Sequence, residues 1–228
     1  MKKIIKYLFL LTGGSFILAS CNDFLDREPL DSVTPDNFFF TENDLAAYAV
    51  KHYNFTTHEG FNAGIWKNDN ATDNQAATDY DKKWIPGQWK VPEAYDNPAS
   101  NDPWYFSTIR EANYFLETVV PRFEKGEIEG SETNIKHYIG EMYFLRAKNY
   151  LSKLETFGDF PIIKNTLPDE SESLIQASKR APRYKVAHFI LEDLDQAISL
   201  LTNNISGGKN RITKNAALLL KSRAALFE

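Results

Sequence analysis

The sequence is poor in the residues that most often bind metals or form covalent cross-links. Its 228 residues include one cysteine and four histidines. A single cysteine cannot close an intramolecular disulfide, which excludes the small secreted folds that depend on several such bridges. The histidines, at positions 52, 58, 137 and 188, show neither an HExxH motif nor another metal-ligand spacing. We therefore expect no metal site.

The chain also lacks a cluster of basic residues. It carries 26 Lys and Arg against 31 Asp and Glu, a net charge of −5 at pH 7. Nucleic-acid binding requires a concentrated basic face, so we exclude that class of partner. With 43% hydrophobic and 14% aromatic residues, the composition permits a large core and argues against global disorder.

No pattern in the sequence indicates an enzyme. There is neither a Gly-rich phosphate loop nor a nucleophile elbow. The segment Asp69-x-Ala71-x-Asp73 has an alanine at the third position of an EF-hand loop. Glycoside hydrolysis needs two facing carboxylates, and no spacing singles out such a pair among the many acidic residues. We expect no catalysis and no cofactor.

The N-terminus is typical of an exported lipoprotein. Three lysines among the first six residues precede an apolar stretch over residues 7–18, which is too short to span a bilayer but suits a signal peptide. It ends Leu18-Ala19-Ser20-Cys21, which resembles a bacterial lipobox. We predict a signal peptide over residues 1–20 and acyl chains on Cys21 that attach the protein to a membrane. The alternative is an ordinary signal peptide followed by an unrelated cysteine.

Apolar residues at helical spacing dominate most of the remaining chain. After a lipidated lead-in over residues 21–40, in which Phe38–Phe40 is expected to dock into the body, residues 41–228 are predicted to form one helical domain. A polar linker is expected over residues 165–181. The predicted helices begin at an N-cap Thr41, at Pro103 (ending at Pro121), at Ile135 (ending before a Gly158 cap), at Tyr184 and at Thr213.

A weak internal repeat supports a chain of helical hairpins. Arg146-Ala147 with Tyr150 recurs as Arg223-Ala224 with Phe227, an offset of roughly twice the ~34 residues of a TPR repeat. The predicted fold class is mainly α, with TPR-like helical hairpins and long irregular loops. Gly140 and Ala147 are expected to let a neighbouring helix approach closely, and Arg146 to pair with a carboxylate or with carbonyls at a helix end.

Several motifs, in order and spacing, resemble the SusD/RagB family. They are the lipobox, FLD at 24–26, IREAN at 109–113, GEMYFLRA at 140–147, FGDFPII at 157–163 and RITK at 211–214. The resemblance implies a SusD-like α-α superhelix, lipid-anchored on the cell surface at the outer membrane. It further implies nutrient binding, most naturally of a starch-like oligosaccharide, beside a SusC-like TonB-dependent transporter and without catalysis. Members are usually about twice this length, so we expect the chain to lack the C-terminal half of the binding site.

Residues 56–102 are expected to supply the ligand site. They are rich in Asn, Asp, Thr and Gly and hold three of the four tryptophans. Sugar rings pack their C–H faces on aromatic rings and need paired donors and acceptors for their hydroxyls. We predict hydrogen bonds from Asp69, Asn70 and Asp73 and stacking on Tyr80 and Trp84.

Two alternatives remain open for this region and for the function. The acidic and amide side chains could instead close turns, while Trp84 packs on the helices as Trp66, Trp89 and Trp104 are expected to do. The protein could also be a TPR-like adaptor that binds only protein, or a peptide-binding RagB-type lipoprotein without glycan binding.

Overall fold

A computed structural model describes residues 38–53, 55, 85–88, 90–93, 102–205 and 210–228. The chain divides into two units, Met1–Phe38 and Phe39–Glu228. In the described ranges, secondary structure consists of six α-helices and two isolated β-bridges, which confirms the predicted mainly helical class. The helices are α1 (Glu42–Lys51), α2 (Ser107–Lys125), α3 (Glu132–Phe157), α4 (Ser171–Ala177), α5 (Arg183–Leu200) and α6 (Lys214–Phe227).

Helix α3 is the centre of the packing. It contacts α1, α2, α5 and α6, and α5 in turn packs against α6. The largest fully buried side chains on α3 and α5 are Met142, Tyr150, Leu154, Ile190 and Leu194. None of the helices in the described part of the chain has the length and apolarity needed to cross a membrane.

One small residue on α3 permits the close approach of the chain that ends α5. A Cβ built on Gly140 would lie 3.0 Å from the side chain of Leu201 and 3.2 Å from its backbone nitrogen. The sequence predicted this role for Gly140, and the structure confirms it.

The predicted helix caps are present. Thr41 Oγ1 accepts a hydrogen bond from the Asp44 amide at 3.3 Å, while Asp44 Oδ2 accepts one from the Thr41 amide at 3.0 Å. This reciprocal pair is a capping box, which satisfies two backbone donors at the start of α1. At the start of α6, Thr213 Oγ1 accepts a hydrogen bond from the Ala216 amide at 3.3 Å. Gly158 follows the last residue of α3 with a φ of 71°.

Several predicted boundaries are wrong. Helix α2 begins at Ser107 and not at Pro103, so Trp104 lies before it, and α3 begins at Glu132 and not at Ile135. Helix α2 was expected to end at Pro121, but it continues to Lys125 and ends at Gly126, whose φ is 72°. Pro121 lacks an amide donor and its ring crowds the carbonyl four residues earlier, at a cost of about 3 kcal/mol. The apolar face that α2 buries offsets this cost. The polar linker predicted over residues 165–181 contains α4, a helix of seven residues that buries none of its side chains.

The chain enters the helical body at Phe39. This side chain is fully buried and contacts the rings of Tyr48 and Phe115, with ring centroids 5.0 and 5.3 Å apart. Its φ of 70° is unusual for a bulky residue. Phe39 therefore docks as the sequence predicted, whereas the neighbouring Phe40 stays exposed.

Candidate functional site: an aromatic cleft beside helix α2

The residues predicted to bind ligand lie outside the described part of the chain. These are Asp69, Asn70, Asp73, Tyr80 and Trp84. The predicted lipidation site, Cys21, and two of the tryptophans expected in the core, Trp66 and Trp89, also fall outside it. Their roles stay predictions.

A cleft of about 370 Å³ lies between the start of α2, the extended segment 161–167 and helix α4. We call it the aromatic cleft. Its lining is mostly apolar and includes Trp104, Phe106, Ile109, Pro161, Ile163, Leu167 and Leu174. The polar side chains at its surface are Arg110, Asn113, Asn165 and Ser178. The volume falls within the range of about 300–1,000 Å³ usual for small-molecule sites.

Stacked rings form one wall of the aromatic cleft. The Trp104 ring lies 4.3 Å from that of Phe157 and 5.6 Å from that of Phe160, centroid to centroid. Phe106 stacks on Phe160 at 5.2 Å, with 9° between the ring planes. Trp104 Nε1 donates to the Pro92 carbonyl at 2.8 Å. Trp104 was expected in the core, but it is half-buried and one part of it faces the cleft.

A buried ion pair fixes the floor of the aromatic cleft. Arg146 on α3 donates from Nε and an Nη to the two carboxylate oxygens of Asp193 on α5, both at 2.7 Å. Its other Nη donates to Asn113 Oδ1 at 2.8 Å. The Asn113 amide nitrogen donates in turn to the Ile163 carbonyl at 2.9 Å. The predicted pairing of Arg146 with a carboxylate is confirmed, and it positions the segment that lines the cleft.

Tyr150 holds the same segment from the α3 side. Its hydroxyl accepts a hydrogen bond from the Ile163 amide at 2.8 Å and donates to the Ile163 carbonyl at 3.1 Å. Burial raises the pKa of Tyr150 to about 12, so the hydroxyl keeps its proton at neutral pH. Burial also raises the pKa of Asp193, against the opposing effect of Arg146.

The side chains facing the aromatic cleft suit binding more than acid–base chemistry. Arg110 is the one ionisable group among the described lining residues, and an arginine does not exchange its proton near neutral pH. The Asn113 amide donates to the carbonyls of Ile163 and Asn165, so it offers a ligand no free donor. Nor does any group of three or more His, Cys, Asp or Glu side chains in the described residues suit a metal ion.

A second buried network joins α3 to the chain before α6. Arg211 donates to both carboxylate oxygens of Glu141, at 2.9 and 2.5 Å, and His137 Nε2 lies 3.1 Å from Glu141. His137 Nδ1 accepts a hydrogen bond from the Thr202 amide at 3.2 Å. Each of these members has a partner, so removing one would leave another buried group uncompensated.

The sequence did not predict the aromatic cleft. Phe106 and Asn165 belong to no periodic pattern, and α4 was taken as part of a linker. One signal was available, because Leu174 and Ala177 stand three residues apart and so share a helix face.

Comparison with known proteins covers nearly the whole chain. A family model for SusD-like proteins, described as "Starch-binding associating with outer membrane", matches residues 23–226. SusD-like protein P38 of Formosa agariphila is 27% identical over 98% of this chain and 42% of its own length. SusD-like protein P2 of the same organism is 26% identical over 79% of this chain and 35% of its own length. The chain thus spans well under half of these relatives.

Solved structures show the same helical arrangement. A SusD-like protein from Bacteroides fragilis NCTC 9343 is 26% identical and aligns with a TM-score of 0.63, over 88% of this chain and 38% of its own. A SusD-like carbohydrate-binding protein from the same strain is 19% identical with a TM-score of 0.60, over 83% of this chain and 38% of its own. The second likeness shows the fold alone. Motifs, helical fold and the match to the family model agree, and the chain belongs to the SusD-like family.

Proposed function

We propose that this protein is a nutrient-binding subunit that captures oligosaccharide at the cell surface and passes it to a SusC-like TonB-dependent transporter, without catalysis. The observation that carries the proposal is the match of residues 23–226 to a family described as starch-binding and associated with the outer membrane. The helical fold supports it, since a SusD-like structure at 26% identity shares that fold over 88% of this chain.

Within this proposal, the glycan site is formed by the loop region over residues 56–102. Its composition supports the assignment, because Asp69, Asn70 and Asp73 offer hydrogen bonds and Tyr80 and Trp84 offer flat faces. The aromatic cleft is a poorer candidate for sugar. Its lining is mostly apolar and its buried amide is already paired, whereas each sugar hydroxyl taken out of water needs a partner.

Attachment through an acylated Cys21 completes the proposed role. The apolar leader and the Leu18-Ala19-Ser20-Cys21 sequence support it. Two or more acyl chains give firm attachment where one chain binds only marginally. The helical body would then stand outside the membrane, where a passing oligosaccharide can reach it.

Calorimetry on the full chain tests the ligand class. The ligands are oligosaccharides of starch and of laminarin, and the variants are Trp84→Ala and Trp104→Phe. If the loop binds sugar, Trp84→Ala weakens binding by about tenfold, equivalent to ~1.4 kcal/mol, and Trp104→Phe leaves it unchanged. Binding of peptides in place of every sugar would favour the adaptor or RagB-type alternative.

Membrane fractionation tests the anchor. Cys21→Ala removes the acylated side chain, so the variant is expected in the supernatant after cell lysis, while the wild type stays with the outer membrane. Mass spectrometry of the wild-type N-terminal peptide should show the acyl chains directly. A Cys21→Ala protein that still sediments with membranes would refute the tether.

A further inference from the structure

The aromatic cleft lacks the polar partners that a sugar needs, so it calls for a different ligand. Its walls are mostly apolar, and the helix on its outer side, α4, buries none of its own side chains. Leu174, which faces the cleft from α4, is 43% exposed. An apolar ligand that filled the cleft would bury this surface and gain the free energy of removing it from water.

The shape of the inner wall favours a flat ligand. The planes of the Trp104 and Phe106 rings lie within 28° and 9° of the Phe160 plane, so the wall presents rings of similar orientation. These rings are held in place by Phe157 and by the hydrogen bond from Trp104 to the Pro92 carbonyl. An aromatic ring can pack on such a wall in an offset stack.

One arginine lines the aromatic cleft and a second lies against its wall. Arg110 lines it, and the Arg180 guanidinium carbon lies 4.9 Å from the centroid of the Trp104 ring. Both side chains are exposed, and neither forms an ion pair with a carboxylate in the described ranges. Ion pairs with carboxylates are made there by Arg146, Arg183, Arg211 and Arg223.

Exposed guanidinium groups beside an apolar slot complement an anion. The chain as a whole is acidic, with a net charge of −5, so two arginines close to one cleft are a local concentration of positive charge. A guanidinium group binds a carboxylate through two parallel hydrogen bonds and also stacks on aromatic planes. A ligand that carries both a ring and a carboxylate would match the wall and the rim together.

We propose that the aromatic cleft is a binding site for a small planar aromatic carboxylate. The ring of the ligand lies against Phe106 under α4, beside Trp104, and its carboxylate lies toward Arg110 and Arg180. This site goes beyond the proposed glycan function, because it uses none of the residues assigned to sugar binding.

Titration of the full chain with trans-cinnamate tests the ligand class. We expect a Kd below about 1 mM, with cinnamyl alcohol (ring without charge) and acetate (charge without ring) at least about tenfold weaker. Binding of cinnamyl alcohol as tight as that of cinnamate would overturn the role of the arginines. No heat and no spectral change up to about 10 mM cinnamate would overturn the site itself.

Three variants locate the binding. Ala177→Phe fills the cleft from α4 and should abolish cinnamate binding. The double substitution of Arg110 and Arg180 by Gln should weaken cinnamate about tenfold and leave cinnamyl alcohol unchanged. Arg223→Gln, which removes an exposed guanidinium bonded to Glu155 on the surface, is the matched control and should bind as wild type. Wild-type affinity in a natively folded Ala177→Phe protein would place the ligand elsewhere.

If Ala177→Phe misfolds, a resonance of the wild-type protein can report on the cleft instead. The indole N–H resonance of Trp104, assigned with Trp104→Phe, should shift on addition of cinnamate to the wild type. An unshifted Trp104 resonance at saturating cinnamate would refute the assignment. Trp84→Ala should bind cinnamate normally, so failure of the glycan proposal and failure of this one are distinguishable.

Discussion

The two sides of segment 161–167 differ in how they are held. On one side, the α3–α5 interface fixes the segment through Tyr150, Asn113 and the Arg146–Asp193 ion pair, all of them buried. On the other side lies α4, which buries no side chain and faces the aromatic cleft. The buried hydrogen bonds therefore lie on one side of the segment, and the aromatic cleft lies on the other.

The largest expected effect breaks the α3–α5 side. Arg146→Ala removes the buried partner of Asp193 and of Asn113, which leaves an uncompensated buried carboxylate. We expect a loss of about 3–5 kcal/mol in the free energy of unfolding, measured by urea denaturation. Arg223→Ala breaks an exposed pair with Glu155 and should cost only about 0–1 kcal/mol. Equal losses for the two variants would show that the buried ion pair at the α3–α5 interface matters no more than an exposed one.

A matched pair of leucine truncations measures the two sides directly. Leu194 on α5 is fully buried, whereas Leu174 on α4 is largely exposed. Leu194→Ala should cost about 2–5 kcal/mol because it leaves a cavity. Leu174→Ala should change stability by no more than about 0.5 kcal/mol. Thermal and urea unfolding of both proteins would test this, and a large loss for Leu174→Ala would show that α4 is part of the core.

The close approach at Gly140 sharpens the comparison further. The new methyl of Gly140→Ala would press on Leu200, at 3.1 Å, and on the side chain and backbone of Leu201. Overpacking outweighs the better helix propensity of alanine, so we expect a net loss of about 1 kcal/mol. Ser152→Ala at an exposed position on α3 is the control. A Gly140→Ala protein more stable than wild type would show that the end of α5 can move.

The smallest effect is a pH dependence at the end of α1. His52 Nδ1 lies 3.3 Å from Glu111, and its buried Nε2 has no partner in the described residues. Burial lowers the pKa of His52, although Glu111 opposes this. The unfolded chain, with a pKa of about 6.5, then takes up a proton more readily than the folded one. Stability should fall as the pH drops below that value.

Unfolding in urea between pH 7.5 and 5 tests this dependence. His52→Gln carries no titrating imidazole, so its curve should fall less steeply than that of the wild type. His188, which is exposed on α5, supplies the matched substitution His188→Gln. Parallel curves for the wild type and His52→Gln would show that the burial of His52 has no energetic consequence.

Where the chain packs on itself, the sequence predicted the structure well. The caps Thr41 and Gly158, the small residue Gly140 and the partnered Arg146 were all found as expected. Thr41 satisfies a backbone donor at a helix start, Gly158 adopts a positive φ at a helix end, and Arg146 is a charge on a buried helix face. Gly140 is a small residue on the strongest helix, where a close neighbour is expected. Pro121 was misread because its exposed position in α2 was not evident from the sequence.

The aromatic cleft could not be predicted in the same way. Its lining residues come from three segments of the chain, and no local pattern requires them to meet. Helix α4 buries none of its side chains, so the apolar periodicity that identifies core helices is weak there. The position of the cleft depends on the hydrogen bonds that fix Ile163, and these join residues that are distant in sequence. The predicted glycan residues, Asp69 to Trp84, lie beyond the described ranges and stay predictions.

The buried ring of Phe39 has a mechanical consequence. Tension that reached Phe39 along the chain would act on its buried side chain. The ring would have to leave its place beside Tyr48 and Phe115. The Glu42 amide donates to the Glu129 carbonyl at 2.8 Å, and the Glu129 amide donates to the Phe40 carbonyl at 2.7 Å. Both backbone hydrogen bonds would also have to break before α1 could unravel. The buried ring and these two bonds would therefore resist tension that reaches α1 along the chain.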